Sequence, residues 1–179
     1  MKKLVLILAV IFVGVTVQAQ FTTARLQATG LTCAMCSNAI NKALEKVAFI
    51  ETVRSDIKNS AFNITFRKDM EIDIDELKEA VEDAGFAIGS LKLTGVFDGI
   101  AIANDRHVKI GNRNFHFLNI DSQVLQGEKT IVLVDKDFVT RKEFRKYSAS
   151  TKMRCVETGK AGACCQGMEE GSRIYHVTI

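Results

Sequence analysis

The chain has 179 residues, 47% hydrophobic and 25% charged, with a formal net charge of +3. This is the composition of a globular chain long enough for one ordinary domain or two small ones, and it excludes disordered and fibrous classes. Proline and tryptophan are absent, which excludes folds that hold a cis-proline beside the active site, the thioredoxin fold among them.

Lys2 and Lys3 precede an apolar run from Leu4 to Val17, interrupted only by Gly14 and Thr16. The run is shorter than the roughly 20 residues of a spanning helix. Val17 and Ala19 place small residues three before and one before a cut ahead of Gln20. Residues 1–19 therefore read as a secretory signal peptide. The mature protein is expected to be exported, to the periplasm, and not to be embedded in a membrane. No cysteine follows the cut, which argues against a lipoprotein. Losing two lysines brings the charge close to neutral, so nucleic acid is not an expected partner. All five cysteines lie beyond the cut and would meet an oxidising compartment.

From Thr22 to Ala28 the sequence alternates, with Thr23, Arg25 and Gln27 on one face and Ala24, Leu26 and Ala28 on the other, as in a half-buried strand. Gly30-Leu31-Thr32 breaks it. From Cys36 the spacing becomes helical, through Ile40, Ala43, Leu44 and Val47. Ile50 to Ile57 alternates again, with Val53, Ser55 and Ile57 on one face. Asn59-Ser60 marks a turn, and Phe62, Ile64 and Phe66 define the next strand. Asp73-Ile74-Asp75-Glu76 reads as a capping box before a helix with Leu77, Ala80, Val81 and Ala84. Gly85 ends that helix, and Ala87 to Leu93 forms a last strand. The order β-α-β-β-α-β over residues 20–93 is that of an α+β ferredoxin-like sandwich.

Residues 94–179 are expected to form a second domain. Val96 to Ala103, Val108 to Leu118, Ile131 to Val134 and Arg173 to Ile179 read as strands, with one short helix near Phe138 to Tyr147. A small β-rich domain follows from this pattern, with an OB-like barrel as the nearest architecture.

Cys33 and Cys36 occupy the loop between the first strand and the first helix. The N–H groups and positive dipole end at a helix opening favour thiolate. Two intervening residues let both sulfurs face one ion. Thiolates select soft ions such as Cu(I), Hg(II) or Zn(II) over magnesium or calcium. Structural zinc takes four ligands, and this loop offers two, which suits capture and hand-over. An ordinary disulfide and a redox-active dithiol are the rival readings of the same pair.

Gly30-Leu31-Thr32-Cys33-Ala34-Met35-Cys36, with Val53, Phe66 and Asp83-Ala84-Gly85-Phe86, resembles the heavy-metal-associated domain over about residues 21–93. That family includes copper chaperones, soluble domains of copper-transporting ATPases and the periplasmic mercury-binding protein. The resemblance implies that Cys33 and Cys36 bind a soft ion, Cu(I) in the first place with Hg(II) or Zn(II) as alternatives. It also implies transfer by thiolate exchange to a metal-transporting ATPase or another carrier, without enzymatic activity. Leu31 stands where the family usually has methionine, and Phe86 stands at the family's loop position beside the metal. Met35 is either a weak extra ligand or an exposed residue.

Cys155, Cys164 and Cys165 lie among Gly159, Gly162 and Gly167. They read either as one disulfide with a spare thiol or as a second soft-metal site. His107, His116 and His176 fall in strand regions, and no H-x-E or H-x-x-x-H spacing gives them a metal role. Three functions follow: a soft-metal carrier or mercury scavenger, a thiol–disulfide oxidoreductase using Cys33 and Cys36, or an interaction module with inert disulfides.

Overall fold

Leu26 sits at the centre of the first layer. In the computed structural model, which describes residues 20–31 and 33–179, β1 (Gln20–Thr29) pairs antiparallel with β3 (Ala61–Phe66) on one side and β4 (Ala87–Ile102) on the other. The pairing sets Leu26 opposite Phe62 and Leu91, and Ala24 opposite Ile64 and Leu93. All six are buried. The alternation in sequence therefore becomes two apolar rows across the sheet, because side chains two apart share a face. α1 (Ala34–Leu44) and α2 (Ile74–Asp83) pack together on these strands, with Ile40, Leu44, Leu77 and Val81 buried. This is the ferredoxin-like arrangement. The signal-peptide reading concerns residues 1–19 and lies outside the described residues.

β2 (Ile50–Asp56) pairs only with β3 and is largely exposed. The face expected from Val53, Ser55 and Ile57 is not an inward one. Val53 is half-buried, Ser55 is exposed, and Ile57 leaves the strand into a short 3-10 turn (Ile57–Asn59). Ser60 closes that turn in the left-handed conformation. At the start of α2, Asp73 accepts from the N–H groups of Asp75 and Glu76. The helix ends in a Schellman motif, with Gly85 N–H donating to Glu82 O and Phe86 N–H to Val81 O while Gly85 holds φ +85°.

β4 does not stop at Leu93. Leu91, Leu93, Gly95 and Phe97 are buried in strict alternation, so the strand runs across the boundary expected at 93/94. Gly95, just past that boundary, is paired with Phe21 on β1 and with Lys129 on the other side, which keeps it inside the strand. β7 (Gln123–Leu133) pairs along β4, with a register shift between Phe97 and Ile100 beside Gly99. β5 (Arg106–Ile110) and β6 (Arg113–Phe117) form a hairpin around Gly111-Asn112, where a single strand was expected from 108 to 118. β8 (Ile174–Thr178) lies between β7 and β6. The strand order is β2-β3-β1-β4-β7-β8-β6-β5 in one eight-stranded sheet. Among the described residues no pairing closes the strands after residue 93 into a separate barrel. They extend the first sheet, because β4 offers β7 the edge that β1 leaves open.

The sheet curls. Phe21 on β1 and Phe115 on β6 are far apart in strand order, yet their rings are 5.9 Å apart. Phe97 lies 6.0 Å from Phe21, and Tyr175 lies 5.8 Å from Phe115. One buried cluster thus contains residues from both halves. α3 (Arg141–Ser148) and α4 (Cys155–Thr158) lie outside it, and Phe144, Tyr147 and Val156 pack on Leu118 and Val134. A reciprocal Thr140–Glu143 capping box opens α3.

Polar ties reinforce the aromatic contact. Arg173 grips Asp75 through Nε at 2.9 Å and Nη2 at 3.2 Å, and Tyr175 donates to the same carboxylate at 3.1 Å. Arg113 donates to Ile72 O, and Asn112 donates to Glu71. Burial pushes the Asp75 carboxyl up, but the hydrogen bonds and charge of Arg173 outweigh it and hold it below its ordinary value of 3.8.

Two outcomes test this architecture. Phe97→Ala should destabilise the protein by about 3–5 kcal/mol in urea denaturation, the usual loss for a buried phenylalanine, and both halves should unfold in one transition. The Asp75 contribution is present above its unfolded value and lost as pH falls through the depressed folded value. Asp75→Asn should therefore cost about 1–3 kcal/mol at neutral pH and much less in strong acid, as read by urea titrations across that range.

Candidate metal centre

The end of β1 delivers the chain to a helix opening. Gly30, at φ +79°, turns it out of the strand. Cys33 is the N-cap of α1, with extended φ −154° and ψ 161°. Its Sγ accepts from the N–H of Cys36 at 3.3 Å, the place normally held by a serine, threonine or aspartate oxygen. Cys36 Sγ lies 2.7 Å from Cys33 Sγ. Cys33 is exposed and Cys36 half-buried. No carboxylate stands in the first turn of α1, so nothing there offsets the positive helix end.

The loop is backed by apolar side chains. Thr29 pairs with Ala87, which sets the Gly85-Phe86 turn beside the Cys33 loop. Leu31 and Phe86 are both half-buried and pack on the core. Met35 is 82% exposed and belongs to no core cluster.

A family model described as the heavy-metal-associated domain matches residues 25–87. The mercuric transport protein periplasmic component of Serratia marcescens is 34% identical over 86 residues, covering 48% of this chain and 93% of that protein. The chain belongs to the heavy-metal-associated domain family. The Pseudomonas fluorescens protein of the same description matches equally, at 34% over 86 residues. Among solved structures, the oxidised mercuric protein MerP from Ralstonia metallidurans CH34 is 27% identical, with a TM-score of 0.36 over 39% of this chain and 96% of that one. The N-terminal domain of a potential copper-translocating P-type ATPase from Bacillus subtilis is 29% identical, with a TM-score of 0.35 over 42% of this chain and 90% of that one.

The heavy-metal-associated unit ends near residue 87, and the remaining cysteines lie beyond it. No disulfide joins the described cysteines. Cys155 opens α4 and is buried, as is Cys165, while Cys164 is half-buried. Cys164 and Cys165 sulfurs are 3.4 Å apart, and the three sulfurs lie within 4.8 Å of one another. Met153 and Met168 pack against them. Burial and the neighbouring thiols push the Cys155 thiol up. Burial also pushes Cys164 up, but hydrogen bonds from Cys155 and Cys165 outweigh it and bring that thiol below its ordinary value.

The histidines, given no metal role from spacing, are also part of this neighbourhood. His107 Nε2 is 3.5 Å and His116 Nδ1 3.8 Å from Cys155 Sγ. They are cross-strand partners in the β5–β6 hairpin, with rings stacked at 4.3 Å. The Gly-Asn turn at residues 111 and 112 was the readable signal, since it fixes that pairing. His116 Nε2 contacts Asp105 Oδ1 at 3.0 Å. Burial, with the nearby His176 and His107, brings His116 down to about 4. Burial and His176 also bring His107 down. His176 is buried, with Nδ1 2.6 Å from Asp135 and Nε2 without a partner. Gly159, at φ +65°, ends α4, and Arg173 Nη1 donates to its carbonyl at 3.2 Å.

Exposure sorts the thiols. In a brief iodoacetamide pulse on reduced protein, read by mass spectrometry, Cys33 should be alkylated. Cys155 and Cys165, at 1% and 4% exposure, should react only after denaturant is added.

Proposed function

We propose that this protein captures a thiophilic ion between Cys33 and Cys36 and passes it to another thiolate carrier, acting as a carrier and not as an enzyme. The supporting observation is the sulfur pair itself, 2.7 Å apart at a helix opening with one member exposed. Metal–sulfur bonds of about 2.3 Å require the sulfurs to separate to roughly 4.6 Å for linear coordination. An N-capping loop at the surface can make that opening without disturbing the core. Linear two-sulfur coordination leaves the ion's flanks open. An incoming partner thiolate forms one new sulfur–metal bond as one bond to Cys33 or Cys36 breaks, with no change in oxidation state.

Cu(I) fits two soft sulfurs and is the first reading of the cargo. Hg(II) is the second, favoured by the mercuric transport relatives. A metal-transporting ATPase or another carrier is the fitting acceptor. Residues 1–19 would direct export, and the periplasmic description of those relatives supports the same compartment. Among the described residues no helix is long and apolar enough to cross a membrane. An oxidoreductase using the same pair is disfavoured by the absence of proline and tryptophan.

Cys33→Ser tests the reading. Serine is itself a good N-cap, so stability should change by no more than about 1 kcal/mol. In reduced wild-type protein, stoichiometric Cu(I) or Hg(II) should shield Cys33 and Cys36 from alkylation. In Cys33→Ser the shielding of Cys36 should be lost. Unfolding of the variant, undiminished shielding of Cys36, or turnover of a model disulfide by the wild type would each refute the carrier role.

A further inference from the structure

We propose that Cys155, Cys164 and Cys165, completed by His116 and His107, form a second binding site for a thiophilic d10 cation of the Zn(II), Cd(II) and Cu(I) class. This goes beyond the Cys33–Cys36 pair and does not depend on it.

The donor spacing carries the inference. A tetrahedral ion with bonds of about 2.3 Å to sulfur and 2.0–2.1 Å to nitrogen holds its ligand atoms roughly 3.4–3.8 Å apart along the edges. The observed separations are 3.5 Å for His107 to Cys155, 3.8 Å for His116 to Cys155 and 3.4 Å for Cys164 to Cys165. The sulfurs form one triad and the two imidazoles with Cys155 another, each with its atoms within 4.8 Å. Cys155 is common to both, so an ion beside its sulfur is held by either triad, and a fourth ligand comes in from the other triad only after a side-chain shift.

The surroundings agree. Asp105 holds Nε2 of His116 at 3.0 Å. A carboxylate accepts there only from N–H, so Nδ1, the atom facing Cys155, carries the free lone pair. Metal-binding histidines are commonly oriented by a carboxylate on the far nitrogen. Met153 and Met168 pack against the buried cluster that holds Cys155 and Cys165, which adds soft, polarizable surface to the surroundings. The buried His176 ring, whose Nε2 is unpartnered, lies 5.1 Å from that of His116. On binding, the thiols lose their protons to solvent and no electrons move.

The two sites differ in kind. Cys33 and Cys36 offer two sulfurs at the surface, whereas the second group is largely buried and brings three donors together. It would retain its ion where the first releases one.

Cd(II) is the probe, added to the reduced full-length Cys33→Ser/Cys36→Ser protein so that the first site is silent. One equivalent should bind, with thiolate-to-cadmium charge-transfer absorption and protection of Cys155, Cys164 and Cys165 from alkylation in denaturant-free buffer. His116→Gln should weaken binding at least about tenfold. Cys164→Ser, at a half-exposed position that leaves the core filled, should do the same if the buried histidine variant fails to fold. Absence of the absorption in the double variant, unchanged affinity in Cys164→Ser, or unchanged affinity in a folded His116→Gln would overturn the proposal. A failure here with normal shielding at Cys33 and Cys36 in the wild type would leave the carrier reading standing.

Discussion

The backbone ladder along β4 holds the molecule together. One edge of this strand pairs with β1 and the other with β7. The ferredoxin-like layer and the strands beyond it therefore share a single hydrogen-bonded element. A ladder strand that serves two partners must hold its register with both along the shared stretch, because a shift of one residue would turn its apolar face outward. The buried alternation Leu91, Leu93, Gly95 and Phe97 satisfies both partners at once. Phe21, Phe97, Phe115 and Tyr175 then fill the space created when the sheet curls.

That arrangement places two groups of soft donors on different kinds of support. Cys33 and Cys36 sit on a loop and the first turn of a helix, where the sulfurs can separate without moving the sheet. Cys155, Cys164 and Cys165 sit on a short helix and glycine-rich loops pressed against the β5–β6 hairpin. The first group is accessible and shallow, and the second is enclosed by histidines and methionines. A difference in burial, more than in ligand chemistry, separates them.

Local patterns in the sequence were legible where neighbours along the chain decide the outcome. Strict alternation gave β1 and β3, the three-and-four spacing gave α1 and α2, and Gly85 marked the end of α2. The Cys33–Cys36 pair was readable because its helix-opening position is set within a few residues. Other features were not. Gly95 looks like a break until β7 is known to lie beside it. Ile57 fits the strand period but leaves the strand at the 3-10 turn. The 108–118 run reads as one strand unless Gly111-Asn112, its one mark of a hairpin, is taken as a two-residue turn. His107 and His116 meet Cys155 across 48 and 39 positions of chain, and no spacing rule spans that distance.

Gly159 shows how closely the halves depend on one another. A side-chain carbon at this position would come within 2.6 Å of Arg173 Nη1, and the backbone there already favours glycine. Added bulk would make the guanidinium that links Asp75 on α2 with Asp135 beside His176 shift its position. Residue 159 touches neither cysteine group's donor atoms, yet a single methyl added there would loosen the join between α2 and the C-terminal strand. The β4 ladder and the shared aromatic core would still join the halves, so residue 159 acts as a remote trimmer of one polar tie and not of the fold.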